Sequence, residues 1–153
     1  MTKEQIQDFS LAHAEPAWLA DLRQAAFDQI DRLELPTIER VKFHRWNLGD
    51  GSLAENEAPA TVPDFTALDD NPKLVQVGSH TVLEQLPVDL VEKGVIFTDL
   101  YSALELIPDV IEKHFGTVIK YDEDKMTAYN AAYFNATAVL YIPDNVIVDQ
   151  PVE

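Results

Sequence analysis

Apolar residues in the first third of the chain recur at helical spacing. Thr2 and Gln5 stand three residues apart ahead of a short amphipathic stretch, which is the spacing of a capping box at a helix start. After Pro16 an apolar residue follows every three or four positions, and polar residues such as Arg23 mostly fall between them. The apolar stripe consists of Trp18, Leu19, Leu22, Ala26, Ile30 and Leu33. This periodicity predicts a helix over residues 16–33.

The middle of the chain changes from a strand pattern to a helix pattern. Residues 74–77 and 81–83 are apolar runs on either side of a glycine, which predicts a hairpin. A third run at residues 94–97 predicts a strand that leads into Thr98 and Asp99, both good helix caps. Helical spacing then predicts helices over residues 100–107, 108–115 and about 124–134.

The last residues carry two further apolar runs. Residues 139–142 and 146–148 predict short strands, which a turn at residues 143–145 would join. No later residue of the sequence covers these strands, so we expect an open backbone edge. We therefore expect self-association through residues near 138–150, and we expect the chain to be part of a longer protein.

An acidic segment separates the two patterned halves. Residues 47–72 contain six acids, three prolines and no base, which predicts a solvated linker. The chain is therefore divided into an N-terminal helical region (residues 1–46), the acidic linker (residues 47–72), a small α+β region (residues 73–135) and a final segment (residues 136–153).

Composition narrows the class of protein. The chain has 153 residues, of which 46% are apolar, and this is enough for one folded domain. With 27 acids against 11 bases the formal charge is −16, so nucleic acid and membrane surfaces are not expected partners. The sequence has no cysteine, no export signal and no apolar stretch of about 18 residues. We expect a cytoplasmic protein without disulfides or thiolate-held clusters.

Residue types that often carry chemistry are scattered along this sequence. The four histidines, none of which is paired at metal-ligand spacing, are His13, His44, His80 and His114. Residues 122–124 are acidic but lack the ligand pattern of a calcium loop, and they fit a helix start instead. Residues 94–99 lack the glycine-rich turn of a phosphate site, and Ser79 lies in no nucleophile elbow. No catalytic, cofactor-binding or metal-ligating residue is assigned.

Several strings, in order along the chain, resemble one known family. They are residues 15–19 (EPAWL), 22–26 (LRQAA), 35–36 (LP), 45–47 (RWN), 94–100 (GVIFTDL), 114–116 (HFG), 125–132 (KMTAYNAA), 141–146 (YIPDNV) and 151–153 (PVE). Together they resemble the SufB/SufD family, the scaffold components of the SUF iron–sulfur cluster assembly system. The tryptophan motif and the short early region are most similar to the amino-terminal part of the SufD branch. Residues 135–138 (NATA) depart from the family, which usually has Gly-Gly or Ser-Gly before the first β-helix strand.

The resemblance implies a fold and a function. The fold would be α+β, with an amino-terminal helical and mixed domain followed at residues 136–153 by the first strands of a right-handed β-helix. The function would be that of a scaffold that contacts a SufB-like subunit and a SufC-like ATPase and is not itself an enzyme. The family residues that build clusters or dock the ATPase would lie beyond Glu153, so none is carried over and no cofactor is expected here.

Two other function classes stay open at this stage. The first is a free-standing acidic module that binds other proteins. The second is a carboxylate-based hydrolase, which would need two acids that converge in one pocket.

Overall fold

The chain forms two units, each built from stretches that are distant in sequence. The structure, a computed structural model, describes residues 2–45, 58–62, 64 and 69–153, without the side chain of His44. The first unit contains the described residues 2–45 and 109–134. The second unit contains the described residues 58–62, 64, 69–108 and 135–153.

The described residues form short helices and strands. In chain order these are α1 (Lys3–Ala12), α2 (Ala17–Ile30), a 3-10 turn (Phe43–Arg45), β1 (Lys73–Val77), β2 (His80–Gln85), α3 (Val88–Glu92), β3 (Ile96–Asp99), α4 (Leu100–Leu106), α5 (Pro108–His114), α6 (Lys125–Tyr133) and β4 (Ala138–Tyr141). The chain is thus mixed α and β, as its sequence predicts. Within the described ranges, no helix is long and apolar enough to cross a membrane.

Small side chains form much of the core of the first unit. The buried cluster consists of Ile6, Ala26, Ile30, Ala128 and Ala132, contributed by α1, α2 and α6. Three of these five residues are alanines, which have no side chain beyond Cβ. Helices α2 and α6 can therefore pack closely, and larger aromatic side chains close the edges of the cluster.

The first two helices confirm one boundary prediction and correct another. At α1 the capping box is complete, since Gln5 N–H donates to Thr2 Oγ1 at 3.3 Å and Thr2 N–H donates to Gln5 Oε1 at 2.9 Å. Helix α2 ends at Ile30, three residues before the predicted end. Beyond this end, Gln29 O accepts hydrogen bonds from both Arg32 N–H at 2.9 Å and Leu33 N–H at 3.0 Å, and the chain leaves the helix in this turn.

A charged residue lies on the buried side of α2. The buried residues of this helix are Leu19, Arg23, Ala26 and Ile30. Trp18 and Leu22, two members of the predicted stripe, are only half-buried. The buried stripe is therefore rotated toward Arg23, and the placement of Arg23 outside it was wrong. A prediction from hydrophobic spacing assigns charged residues to the solvent side of a helix. It fails where a partner inside the fold compensates the buried charge.

The predicted hairpin is confirmed in the second unit. Strands β1 and β2 pair antiparallel, and Val77 faces His80 across a two-residue turn. Gly78 opens this turn at a φ of +62°, a left-handed conformation that glycine adopts without steric cost. The register shifts between Val75 and Gln76, so that β2 carries an extra residue at this point.

Only one of the two predicted caps begins α4. Asp99 Oδ1 accepts a hydrogen bond from Ser102 N–H at 3.0 Å, as an N-cap residue does. Thr98 instead lies buried in β3, and its hydroxyl donates to Glu84 Oε1 at 2.6 Å. Strand β3 therefore extends to Asp99, whereas a helix cap at Thr98 would have ended it one residue earlier.

The final strand does not pair with its predicted neighbour. Strand β4 pairs antiparallel with β3, and residues 143–145 form the expected turn, in which Val146 N–H donates to Pro143 O at 3.2 Å. The strand predicted over residues 146–148 is wrong, because these apolar residues have no strand partner and Ile147 is largely exposed. A strand needs a hydrogen-bonded neighbour as well as an apolar pattern. The first strands of a β-helix are not shown by these antiparallel pairs.

Most of the predicted acidic linker lies outside the described residues. Of residues 47–72, the structure describes 58–62, 64 and 69–72. The division of the chain into four segments stays a prediction.

Candidate functional centre at Arg23

A fully buried arginine joins α2 to the α1–α2 turn and to the end of α6. Neither the Arg23 side chain nor that of its partner Glu15 has any exposed surface. Nε donates to the two carboxylate oxygens of Glu15 at 3.1 and 2.8 Å, and Nη2 donates to Oε1 at 2.7 Å. Nη1 donates to the backbone oxygens of Ala132 at 3.3 Å and Phe134 at 2.8 Å. Every guanidinium nitrogen thus has an acceptor, which a buried charge requires.

Aromatic rings lie against this guanidinium. Cζ of Arg23 is 3.6 Å from the ring centroid of Phe134 and 5.0 Å from that of Phe9. Phe9 stacks on the His13 ring with 4.1 Å between centroids, and Phe134 lies 5.5 Å from Phe115. Away from water, each cation–π contact of this kind contributes about 2 kcal/mol. The rings therefore stabilise the charge and exclude water from it.

The turn between α1 and α2 brings Glu15 to this centre. Ala14 adopts a φ of +49°, and Glu15 N–H donates to Ser10 O at 2.9 Å. Pro16 then precedes the first turn of α2 in an extended conformation, which suits a residue without an N–H. The carboxylate consequently meets an arginine eight residues later in the chain.

This arrangement can hold elements together but offers no open reaction site. A ligand in solvent cannot reach the guanidinium, because the side chain has no exposed surface. Removing one member of a buried ion pair costs about 3–5 kcal/mol, since the other charge is left without a partner. Arg23 is therefore a structural link between α2, the turn at Glu15 and the end of α6.

A second buried charge holds Glu153 against β1 in the second unit. Lys73 Nζ contacts Oδ1 of Asp69 and lies 3.3 Å from Oε2 of Glu153. Glu153 N–H donates to Pro72 O at 3.0 Å and Leu74 N–H donates to Glu153 O at 2.9 Å, which is a parallel pairing. The hydrogen bond from Lys73 lowers the pKa of the Asp69 carboxyl, and the same bond raises the pKa of the Lys73 amine.

The three histidines whose side chains the structure describes lie at three different elements. His13 Nδ1 lies 2.9 Å from Phe9 O at the end of α1, His80 begins β2, and His114 ends α5. The His44 side chain lies outside the described part of the chain. Among the side chains that the structure describes, no three His, Asp or Glu residues come together as a metal site would require.

The acidic run before α6 forms the predicted helix start. Asp124 Oδ1 accepts hydrogen bonds from Met126 N–H at 2.7 Å and Thr127 N–H at 2.9 Å, and Thr127 Oγ1 accepts one from Asp124 N–H at 3.1 Å. Glu123 Oε1 accepts a bond from Lys120 N–H at 2.8 Å. The Asp124 carboxylate therefore satisfies backbone N–H groups at the start of the helix, and the Glu123 carboxylate satisfies one in the preceding loop.

The hydrophobic pattern reveals neither buried cation. Arg23 falls between the apolar positions of the predicted stripe, and Lys73 follows Asn71 and Pro72 at the end of the acidic segment. One signal was available for the first, because Glu15 and Arg23 both lie in the strings that resemble a known family. That signal marks the two positions as special but does not show that they pair.

Comparisons with known proteins link the chain to iron–sulfur cluster assembly. The family described as the SufBD protein N-terminal region matches residues 64–153. The chain is 36% identical to the iron–sulfur cluster assembly protein SufD of Bacillus subtilis, in a match that covers 99% of this chain and 37% of that protein. It is 26% identical to a SufBD family protein of Mycobacterium bovis, in a match that covers 97% of this chain and 20% of that protein. It is 25% identical to a chloroplastic SufBD family protein of Arabidopsis thaliana, in a match that covers 99% of this chain and 31% of that protein.

These matches confirm the resemblance that the sequence strings carry. The chain spans between 20% and 37% of the length of these three relatives. The Bacillus subtilis match includes the segment of α1 and α2 with Glu15 and Arg23, because it covers nearly the whole chain. Since the family match extends over more than half of the residues, the chain belongs to the SufBD family, in the part described as its N-terminal region.

Proposed function

We propose that this chain is a SufD-like scaffold component of the SUF iron–sulfur cluster assembly complex. The observation that carries the proposal is its 36% identity, over 99% of its length, to a protein named for iron–sulfur cluster assembly. In this function the chain works in the cytoplasm through contacts with other proteins, not as an enzyme. Its partners are a SufB-like subunit and a SufC-like ATPase, and residues 1–153 hold no cofactor.

The contacts of the two buried cations, Arg23 and Lys73, support a scaffold role. Arg23 and Lys73 both bind acceptors of their own chain, so each stabilises its unit. The buried carboxylate of Glu15 faces an arginine and not a second acid, so this centre does not favour a carboxylate-based hydrolase. A preformed unit of this kind can present a fixed surface to another protein at little entropic cost.

The same proposal treats residues 136–153 as the lead-in to a right-handed β-helix. The supporting observation is the parallel pairing of Glu153 with β1 at Lys73, because successive rungs of such a helix also pair in parallel. A structure of the full-length protein in its complex tests this step. A full-length structure in which no parallel rungs pair with residues 136–153 would contradict it.

Co-purification tests the proposed function. The full-length protein, tagged, is produced together with the SufB-like and SufC-like subunits of the same organism and separated by size exclusion with light scattering. We expect one complex that contains all three proteins in a fixed ratio and survives high salt. The salt step is needed because a chain of charge −16 attracts basic proteins without specificity.

A matched control separates a specific scaffold from a general acidic module. An unrelated tagged protein of similar size and negative charge should retain neither subunit. The proposed function is wrong if the tagged chain elutes alone while the two other subunits assemble with each other.

A further inference from the structure

The outer edge of β1 already carries one residue of a parallel strand. Strand β1 pairs with β2 along its other side. On the outer side, Glu153 N–H donates to Pro72 O at 3.0 Å and Leu74 N–H donates to Glu153 O at 2.9 Å. A residue that bonds to the positions on either side of Lys73 has the hydrogen-bond pattern of a parallel pair. The chain therefore arrives at Glu153 running along β1 toward the turn at Gly78.

Strand geometry identifies the next positions on this edge. The backbone groups of alternate residues face the same side of a strand, so Leu74 O and Gln76 N–H both face the side that holds Glu153. The register shift does not disturb this alternation, because the extra residue lies on β2. A parallel strand that continues in the same register would therefore donate to Leu74 O and accept from Gln76 N–H through the second residue after Glu153.

A buried cation fixes the register of this pairing. The Lys73 side chain is only 4% exposed, and its Nζ contacts Asp69 and lies 3.3 Å from Oε2 of Glu153. A shift by one residue would turn the Glu153 side chain to the opposite face of the sheet. Lys73 would then lose one of its two carboxylate partners, which a buried charge tolerates poorly. Side chains as well as backbone groups thus specify how the chain lies on β1.

We propose that the residues directly after Glu153 in the full-length protein form a third strand, parallel to β1, on this edge. The inference rests on the proposed lead-in to a β-helix and deepens it, because it makes the β1–β2 hairpin the surface on which the first parallel rung forms. The family match to an N-terminal region, and the 37% of the Bacillus subtilis relative that is covered, support a continuation of the chain.

The occupant of the edge is this segment and not a strand of another protein. It reaches the edge through Glu153, which is already bound there by two backbone hydrogen bonds and by Lys73. A strand from any other chain would have to displace these contacts. The arrangement also covers, within one protein, an edge that could otherwise pair with other chains.

Amide hydrogen exchange of the full-length protein, read for each residue by NMR, provides the first test. Gln76 N–H should exchange within about tenfold of the rate of Leu74 N–H, because both would donate to the same strand. If Gln76 N–H exchanges faster than this, the edge is open beyond Glu153 and the inference is wrong.

Photo-crosslinking of the full-length protein identifies the segment on the edge. A photoreactive amino acid in place of Val77, which is 39% exposed at the end of β1, should form an adduct with the peptide that directly follows Glu153. Val88 is the matched control, since it is 73% exposed on α3 of the same unit, and the same group there should not form this adduct. Thermal unfolding of both variants shows whether either one affects the fold.

The outcomes separate the two proposals. For the group at position 77, an adduct with a second copy or with another region of the chain overturns the inference, and so does the lack of any adduct. Both experiments use the protein without its partners, so they do not depend on assembly. If the third strand is absent and the SUF complex assembles, the inference is wrong and the proposed complex stands. If the third strand is present and no SUF subunit assembles, the proposed complex is wrong and the strand stands.

Discussion

Replacing Arg23 with methionine tests whether the buried ion pair holds the first unit together. The change keeps most of the apolar stem but removes the donors to Glu15 and to the backbone oxygens of Ala132 and Phe134. A buried carboxylate without its partner costs about 3–5 kcal/mol, and unsatisfied buried carbonyls add to this cost. Because these terms overlap, we expect a loss of about 4 kcal/mol in the free energy of unfolding.

Urea denaturation followed by circular dichroism at the helix band measures this loss. With a slope of about 2 kcal/mol per M, the midpoint should fall by about 2 M. Arg32→Met is the matched control, because Arg32 is exposed in the same unit, and it should stay within about 0.5 kcal/mol.

A second substitution separates the ion pair from general packing. Glu15→Leu added to Arg23→Met removes the unpaired carboxylate and should regain about 2 kcal/mol, since apolar replacements of whole buried pairs are often tolerated. The reasoning is refuted if Arg23→Met costs no more than Arg32→Met, or if the two changes at the pair are simply additive.

Three further predictions concern the core, the second unit and metal. Leu19→Ala should cost about 2–5 kcal/mol because Leu19 is fully buried, whereas Leu11→Ala should stay within about 0.5 kcal/mol in the same urea assay. Lys73→Met should lower the melting temperature at pH 7 more than Lys93→Met does, since Lys93 is exposed. The pKa of the Asp69 carboxyl is lowered from 3.8, so this group stays ionised at pH 5. The difference in melting temperature between Lys73→Met and Lys93→Met should therefore persist at pH 5 and shrink as the pH falls below 3.8. An unchanged difference below pH 3.8 would contradict the pairing of Lys73 with Asp69. Anaerobic reconstitution with iron and sulfide should leave no stoichiometric cluster on residues 1–153, because the chain has no cysteine, and a visible-absorbing product in a fixed ratio would overturn this.

Local sequence patterns predict the caps and turns that are formed by contacts between residues close in sequence. The capping box at Thr2, the turn at Gly78 and the cap at Asp99 are each set by side chains within a few residues. Such signals are local, so sequence alone is enough to find them. The α2 boundary differs by three residues because helix ends depend on weaker, tertiary preferences.

Features that depend on distant partners could not be predicted in the same way. Nothing near Arg23 in sequence shows that the end of α6 supplies carbonyl oxygens to it. Likewise, residues 146–148 have a strand-like composition, but β4 pairs with β3, and in the part of the chain that the structure describes residues 146–148 join neither sheet. In both cases the missing information is which segments meet, not what each segment prefers locally.

The long separation between Arg23 and its acceptors has a consequence for synthesis on the ribosome. Phe134 follows Arg23 by 111 residues, so α2 emerges well before the backbone oxygens that its guanidinium binds. At about 5–20 residues per second, this interval lasts about 6–22 s. During that time Glu15 is the acceptor already present, while the apolar side of α2 has no α6 to cover it. Until translation passes α6, the nascent first unit thus exposes apolar surface of the kind that chaperones bind.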